Sequence, residues 1–431
     1  MMTSDFVPCM VSQMDFFKRK PVQTCITGRM IQKLKPLSAL PEVPDVIEFT
    51  CPGRALHYMD INNMALRLTV SMRLANGAVM AEADKDVSVI DAPLHTLFSQ
   101  CEVFLSETPV TKSPHLYHYK ALLDLHTLAD SNARKGMLTS SLYIPDWTGA
   151  NAEATSPWSM RQAPFLKSEK VELMGKLRPD ICYLDDGAYI LDNVPIRVRL
   201  TLNPPEVYLW ADKEDKWGKL LIHDAELNIP YLVGSPDLSL GIEQMLSQQP
   251  ATYRFKGSQI KTFLHQAGSV NLSIPVAFSG KLPTSILLVP VMASNFNGSK
   301  MKNPFHFPHC GFQEISFICN GTERRFVMDA AKPFRCTSLL RSLYTEMGMD
   351  CEEASGNAYS MTSIQECRFA CAVDLTIDGT GSGPSQNLQE FGTVSIQGRL
   401  SAALGEAACI ILYAKYDSVL EINASREVVV L

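Results

Sequence analysis

This 431-residue sequence has no run of about 18 apolar residues, the length a membrane-crossing helix needs. Asp5 and Asp15 also interrupt any apolar region at the start, so a secretory leader is not expected. Positive charge is short: 39 Lys and Arg against 45 Asp and Glu leave a net −6 and an isoelectric point near 5.9. That balance argues against a dedicated nucleic-acid binder, which would show a basic face. The twelve cysteines (Cys9, Cys25, Cys51, Cys101, Cys182, Cys310, Cys319, Cys336, Cys351, Cys367, Cys371, Cys409) keep no disulfide-scaffold spacing. Reduced thiols in a cytosolic or nuclear setting are therefore expected. On that expectation the sequons at Asn271, Asn297, Asn320 and Asn423 carry no glycan.

Catalytic patterns are missing as well. There is no phosphate loop, dinucleotide fingerprint, HExxH or GxSxG. The closest approach to a metal site is His306-Phe-Pro-His309-Cys310, with Cys319 nine positions on. Such a set could hold a borderline metal, but Phe305, Phe307 and Phe312 among these residues read as a packed loop entering a strand. Cys367 and Cys371, four apart in a strand-like run, read as two buried thiols. His115, His118 and His126 accompany Asp124 and Asp130 on one helical stretch, yet His118 and Asp124 are not at a spacing that faces them together. Asp185-Asp186-Gly187 and Asp378-Gly379 are turn signals. No nucleophile, base and orienting group assemble, so the expectation is no enzyme, no catalytic residue, no cofactor and no metal.

What is present is a globular composition, 46% hydrophobic and 19% charged. The 26 prolines and 24 glycines are spread along the chain, as short strands and turns require. The length exceeds the roughly 250–300 residues at which one core stops growing, so two domains are expected. A pattern written twice supports this. Val194-Pro-Ile-Arg-Val-Arg-Leu200 and Val394-Ser-Ile-Gln-Gly-Arg-Leu400 both fit Val-x-Ile-x-x-Arg-Leu, 200 residues apart. Apolar residues two apart share one face of a half-buried strand, so one strand is expected to serve the same place in two similar modules. The strands containing Phe104-Leu105 and Phe317-Ile318 extend the echo.

Residues 1–45 read as an extended arm. Pro21, Pro36, Pro41 and Pro44 forbid a long helix, and Lys18, Arg19, Lys20, Arg29, Lys33 and Lys35 against Asp5 and Asp15 make residues 1–40 net +4. Strands begin at Val46 and continue through 64–72, with Asn76-Gly77 as a tight turn, then 87–110 and 181–210. A helix is predicted over about 114–133, with Ser113 as cap and Pro114 in its first turn. Its histidine-bearing face has no evident partner within the chain, so it is expected at a subunit contact. Residues 144–170, with Trp147 and Trp158, read as a surface loop. The charged stretch 211–218 is the expected crossing between modules. Further strands are predicted at 220–233, 252–263, 270–278, 285–291, 313–318, 394–400 and 408–422, with helices at 236–248 and 338–347. The division is then an arm at 1–45, a first module at 46–217 and a second at 218–431. Short strands with inserted helices and no regular helix–strand alternation indicate an all-β fold of two sandwiches or jelly rolls.

Four stretches carry a family resemblance: Tyr117-x-Tyr119-Lys120-Ala121 followed by Leu138-Thr-Ser-Ser-Leu-Tyr143; Tyr189 to Leu200; Asn295-Phe-Asn-Gly-Ser299 leading to Lys302-Asn-Pro-Phe-His-Phe307; and Tyr413 to Asn423. In this order the chain resembles the major capsid (hexon) proteins of the adintovirus and Maverick/Polinton group, and is similar to the hexon-like proteins of adomaviruses. The resemblance spans residues 117 to 423; residues 1–45, 144–170 and 351–363 lie outside it. It implies a double jelly roll and a homotrimer forming a pseudo-hexagonal capsomer. Its implied partners are other copies of itself, penton and minor capsid proteins and, through the arm, an internal membrane or genome, with the virion as its location. A lectin-like soluble jelly-roll module and a penton-type minor capsid protein stay open as alternatives.

Overall fold

A computed structural model describes residues 22–81, 86–111, 115–146, 157–213, 216–332, 334–347, 359–383 and 386–431. The first half of the chain forms strands β1 (Ile26–Leu34), β2 (Val46–Cys51), β3 (His57–Met59), β4 (Ala65–Leu74), β5 (Val87–Val89), β6 (Phe98–Leu105), β7 (Thr108–Pro109), β8 (Val171–Lys176), β9 (Ile196–Leu202), β10 (Leu209–Ala211) and β11 (Gly218–Gly234). The second half forms β12 (Ala251–His265), β13 (Asn271–Lys281), β14 (Ser285–Met292), β15 (Phe312–Cys319), β16 (Thr322–Val327), β17 (Cys371–Asp374), β18 (Phe391–Leu400), β19 (Ala408–Ile422) and β20 (Val428–Val430).

These strands build two sandwiches. In the first, the sheet β1-β11-β4-β8, with β3 also beside β11, faces the sheet β2-β9-β6-β7. In the second, β12-β19-β14-β17, with β20 beside β19, faces β13-β18-β15-β16. Eight strands thus recur in the same spatial order, with neighbours drawn from distant parts of the chain. Both sandwiches are jelly rolls, and the chain is a double jelly roll.

The repeated heptapeptide falls on equivalent strands, except that Val194 and Pro195 lie just ahead of β9 while Val394 is within β18. β9 lies between β2 and β6, and β18 lies between β13 and β15. Ile196, Val198 and Leu200 point into one core, with Arg197 and Arg199 turned outward; Val394, Ile396 and Leu400 do the same in the other. Ile196 pairs with Leu105 and Ile396 with Phe317, while Leu200 pairs with Cys101 and Leu400 with Phe312. Each ladder has a bulge near the start of the incoming strand, between Phe98 and Gln100 or between Phe312 and Glu314. The structural alignment is one residue off the sequence echo, matching Leu105 with Phe317 rather than with Ile318.

Both expected boundaries move. β11 is hydrogen-bonded along β4, with Leu220 opposite Met72 and Leu227 opposite Leu66, so residues 218–234 complete the first sandwich. The charged 211–218 stretch is a turn ahead of β11, and a turn inside one sandwich is as solvated as a linker. The crossing runs through 235–250, where Ser235 caps the helix Pro236–Leu246 by accepting a hydrogen bond from the Leu238 amide at 3.2 Å. The arm is also shorter than expected. Residues 26–34 are β1, paired with β11 from Ile26 opposite Gly234 to Leu34 opposite Leu227, and Leu34 joins the core. Arg29, Ile31 and Lys33 face solvent along this edge strand and Gln32 interrupts the half-buried face, which disguised it. Pro36, Pro41 and Pro44 follow it, in the connection to β2.

The two cores interlock. Phe255, Leu420 and Ile422 of the second half pack into the first core, while Ile90, Tyr119 and Trp210 of the first half pack into the second.

Candidate functional site

Four connections are long enough to carry features beyond the strands: 75–97 and 110–170 in the first sandwich, 293–311 and 328–370 in the second. They join equivalent strand pairs and converge on one junction. At its centre is the helix Tyr117–Leu128, buried along nearly its whole length. The Ser113-Pro114 start predicted for it lies outside the described residues, and His115 sits before the helix, exposed. The expectation that its histidine face meets another subunit is overturned, because that face is inside the chain. His118 meets the Phe305 ring edge-on at 5.9 Å, and His126 meets Phe307 and Tyr359 at 6.4 and 6.2 Å. Between them Tyr119 stacks on Phe296 at 5.4 Å and donates its hydroxyl to the Phe296 and Pro304 carbonyls at 3.0 and 3.3 Å. The 293–307 loop is packed by Phe305 and Phe307, which the sequence suggested, and by Phe296, and the aromatic wall it meets comes from the other sandwich.

On the same helix, Lys120 forms a buried ionic lock. Its ammonium lies 2.7 Å from Asp124 and 3.0 Å from Asp180, and donates to the Arg178 carbonyl at 2.8 Å. The second sandwich closes this network. Tyr413 on β19 donates to Asp124 at 2.8 Å, and Ser258 on β12 donates both its amide and its hydroxyl to Asp180. Burial alone would raise the Asp124 pKa, but Lys120 beside it outweighs burial and holds the carboxyl below its ordinary value. Burial likewise disfavours the Lys120 charge, and the two carboxylates override it, holding its pKa well above the ordinary one.

A second polar hub was hidden in the segment read as a surface loop. There, residues 157–162 are helical, and Trp158, Arg161 and Phe165 are buried; Trp147 lies outside the described residues. The Arg161 guanidinium, without solvent exposure, donates to the Val89 carbonyl at 3.1 Å, the Ile144 carbonyl at 2.5 Å and the Asp146 carboxylate at 2.9 Å. Asp146 also accepts from Asn303 at 3.1 Å, and its backbone carbonyl accepts from Arg368 and, at 3.4 Å, from the Cys367 thiol. Asp91 accepts from the Ile144 amide at 2.9 Å, and burial pushes its pKa up to about 7 against the pull of Arg161. A cavity of about 210 Å³ opens here between the sandwiches, with Asp91, His126, Trp210, His306 and Arg368 among its walls.

Backbone contacts finish the junction. Ser299 donates its amide to Glu206 at 3.1 Å, and Ala211 donates to Lys300 at 2.7 Å. Gly298 is needed at φ +90°, since a Cβ there would stand 2.6 Å from the Glu206 carbonyl.

The remaining candidates do not gather. His309 accepts through Nδ1 from the Gly311 amide at 2.9 Å, and burial lowers the pKa of both His306 and His309. Cys310 precedes β15 and Cys319 ends it, so the strand's length separates them. Among the described residues no group of three or more His, Cys, Asp or Glu is placed to hold a metal ion. Cys367 and Cys371 are both buried, although only Cys371 is on a strand. Arg161 and Asp146 had no sequence signal, because a buried charge reads like a solvated one until its partners are known. Tyr119 and Asn297-Gly298 did lie in quoted stretches.

No protein-family model and no curated protein matches the sequence. Comparison of structures gives full-length likenesses. A chain of the Sputnik virophage, solved by cryo-electron microscopy, aligns with TM-score 0.68 at 8% identity, covering 99% of this chain and 93% of that one. The mavirus major capsid protein aligns with TM-score 0.58 at 10% identity, covering 99% and 95%. The faustovirus major capsid protein gives 0.54 at 10% identity, covering 97% and 93%. At these identities the likeness establishes the shared double jelly-roll fold.

Proposed function

We propose that this chain is a viral major capsid protein that works by self-association. Three copies form a capsomer, and each contributes two sandwiches of one topology, giving six similar wall elements around a three-fold axis. Such a pseudo-hexagonal block tiles an icosahedral shell from one polypeptide. The observation that carries this reading is the recurrence of all eight strands in one spatial order, in two sandwiches locked by the Lys120 and Arg161 networks. Rigid coupling is what a tile requires, since freedom between its halves would blur the hexagonal outline. In this reading the two jelly rolls span residues 26–234 and 251–430.

Large apolar side chains left exposed on the second sandwich, including Val327, Phe334, Ile377, Leu388 and Phe391, supply candidate subunit contacts. The quoted sequence stretches support a finer placement with the adintovirus, Maverick/Polinton or adomavirus capsid proteins. Penton and minor capsid proteins are then the further partners. The virion is the final location, reached from the host nucleus or cytoplasm.

Size-exclusion chromatography with light scattering tests the reading. A homotrimer near three times 47.8 kDa, or larger shells, is expected. A monomer at all concentrations would overturn it in favour of a soluble binding module.

A further inference from the structure

The crossing helix Pro236–Leu246 is poorly covered for its sequence. Of its large apolar residues Leu238, Leu240, Ile242, Met245 and Leu246, only Leu246 is buried; Leu240 is 62% exposed and Met245 53%. Helices of this length depend on packing an apolar face, because propensity alone does not hold them in water. Leu238, Ile242 and Met245, at spacings of four and three, lie on one side and form, with Leu191, Pro250 and Ala251, a groove of about 480 Å³.

We propose that the occupant of this groove is the chain's own N-terminal segment, residues 1–21. Three observations lead to it. The first is where that segment must leave the fold. The Cys25 carbonyl accepts from the Ser235 amide at 2.8 Å, and Ser235 caps this same helix. The chain upstream of β1 therefore starts beside the helix's first turn. Reach is no obstacle, since 21 residues extend up to roughly 70 Å and an 11-residue helix is about 16 Å long.

The second observation is composition. Residues 1–21 hold Phe6, Val7, Met10, Val11, Met14, Phe16 and Phe17. Met10, Val11, Met14 and Phe17 fall at the i, i+1, i+4, i+7 spacing of an apolar stripe, and methionine adapts well to shallow apolar grooves. The third is charge. Glu243 is already paired with Arg426, which leaves Asp237 in the first turn, and the segment places Lys18, Arg19 and Lys20 next to its point of attachment at that end. The segment thus straps the link between the two sandwiches, with its apolar part inward. This inference does not depend on the capsid reading, because it concerns one chain.

The test uses the full-length chain with p-benzoylphenylalanine in place of Phe17. Irradiation should give adducts within residues 236–251 in a product that keeps single-chain mobility in denaturing gels. Adducts elsewhere would overturn the proposal, as would double-mass products joining position 17 to 236–251 of another copy. In parallel, hydrogen exchange is compared between the unaltered chain and the Met14→Asp, Phe17→Asp variant, which keeps the segment's length. Exchange of the 236–246 amides should rise at least tenfold in the variant while β4 and β14 stay protected. Unchanged exchange in the helix would sink the proposal.

Discussion

The two sandwiches share a strand order and differ in nearly everything attached to it. β9 and β18 occupy the same place and present the same apolar residues inward, yet β2 has 6 residues where β13 has 11, and β1 has 9 where β12 has 15. The sharper contrast is between the connections. The 110–170 insertion of the first sandwich supplies the Lys120 lock, the Arg161 hub and one side of the aromatic bridge. The second sandwich supplies receptors for these groups: Asn303, Phe305, Ser258 and Tyr413. The recurring strands need only alternating apolar residues, whereas the loops differ between the sandwiches, and there unlike halves can fit each other.

Breaking the asymmetric part should cost most. Arg161→Met removes a charge that neutralises Asp146 and satisfies two buried carbonyls, so a loss of about 3–5 kcal/mol is expected. Chemical denaturation should show a single transition at a much lower midpoint, since both sandwiches lean on this hub. The solvent-exposed pair Arg325–Glu314 is the control, and Arg325→Met should leave the midpoint unchanged.

The symmetric part should respond evenly. Ile196→Ala and Ile396→Ala each open a cavity at an equivalent, fully buried site, at a cost of about 2–5 kcal/mol. Similar losses of denaturation midpoint sharpen the comparison. A loss at one site with none at the other would show that the sandwiches are not equivalent in packing.

Next in size is the contact of Gly298 with Glu206. Gly298→Ala combines a positive φ with a backbone clash, and a loss of about 1–3 kcal/mol is expected. Proteolysis should then cut the 293–311 connection first.

Acid lability contributes nothing at neutral pH and grows only on acidification, and its best-defined sources lie in the first half. Burial pushes the pKa of His95 and of His118 down to about 3. The unfolded chain takes up these protons below about pH 6.5 while the folded chain refuses them. Stability is therefore complete above that pH and is lost as pH falls from 6.5 toward 3, by up to about 1.4 kcal/mol per pH unit for each histidine. His118→Gln should remove its share of that slope in thermal melts between pH 6.5 and 4.5.

Much of this was legible in the sequence, for definite reasons. Strands such as β9 announce themselves by alternation, and the helix expected at 236–248 is present as Pro236–Leu246. β1 was not legible, because an edge strand with Arg29, Gln32 and Lys33 looks like a solvated arm. Gly218 looked like the start of a new module because the residues before it are charged, although a turn inside a sandwich is charged too. The burial of His118, Lys120 and Arg161 depends on partners up to 289 residues away, as for Asp124 and Tyr413. Local pattern carries no trace of such pairings. Fold class therefore followed from periodicity, while the junction required coordinates.

The central claim is that unlike sandwiches serve as equivalent wall elements of one capsomer. Electron microscopy of the purified oligomer tests it most directly. Class averages viewed down the three-fold axis should show six lobes of similar size at near-hexagonal spacing, two per chain. Three lobes, or a particle without three-fold symmetry, would contradict the account.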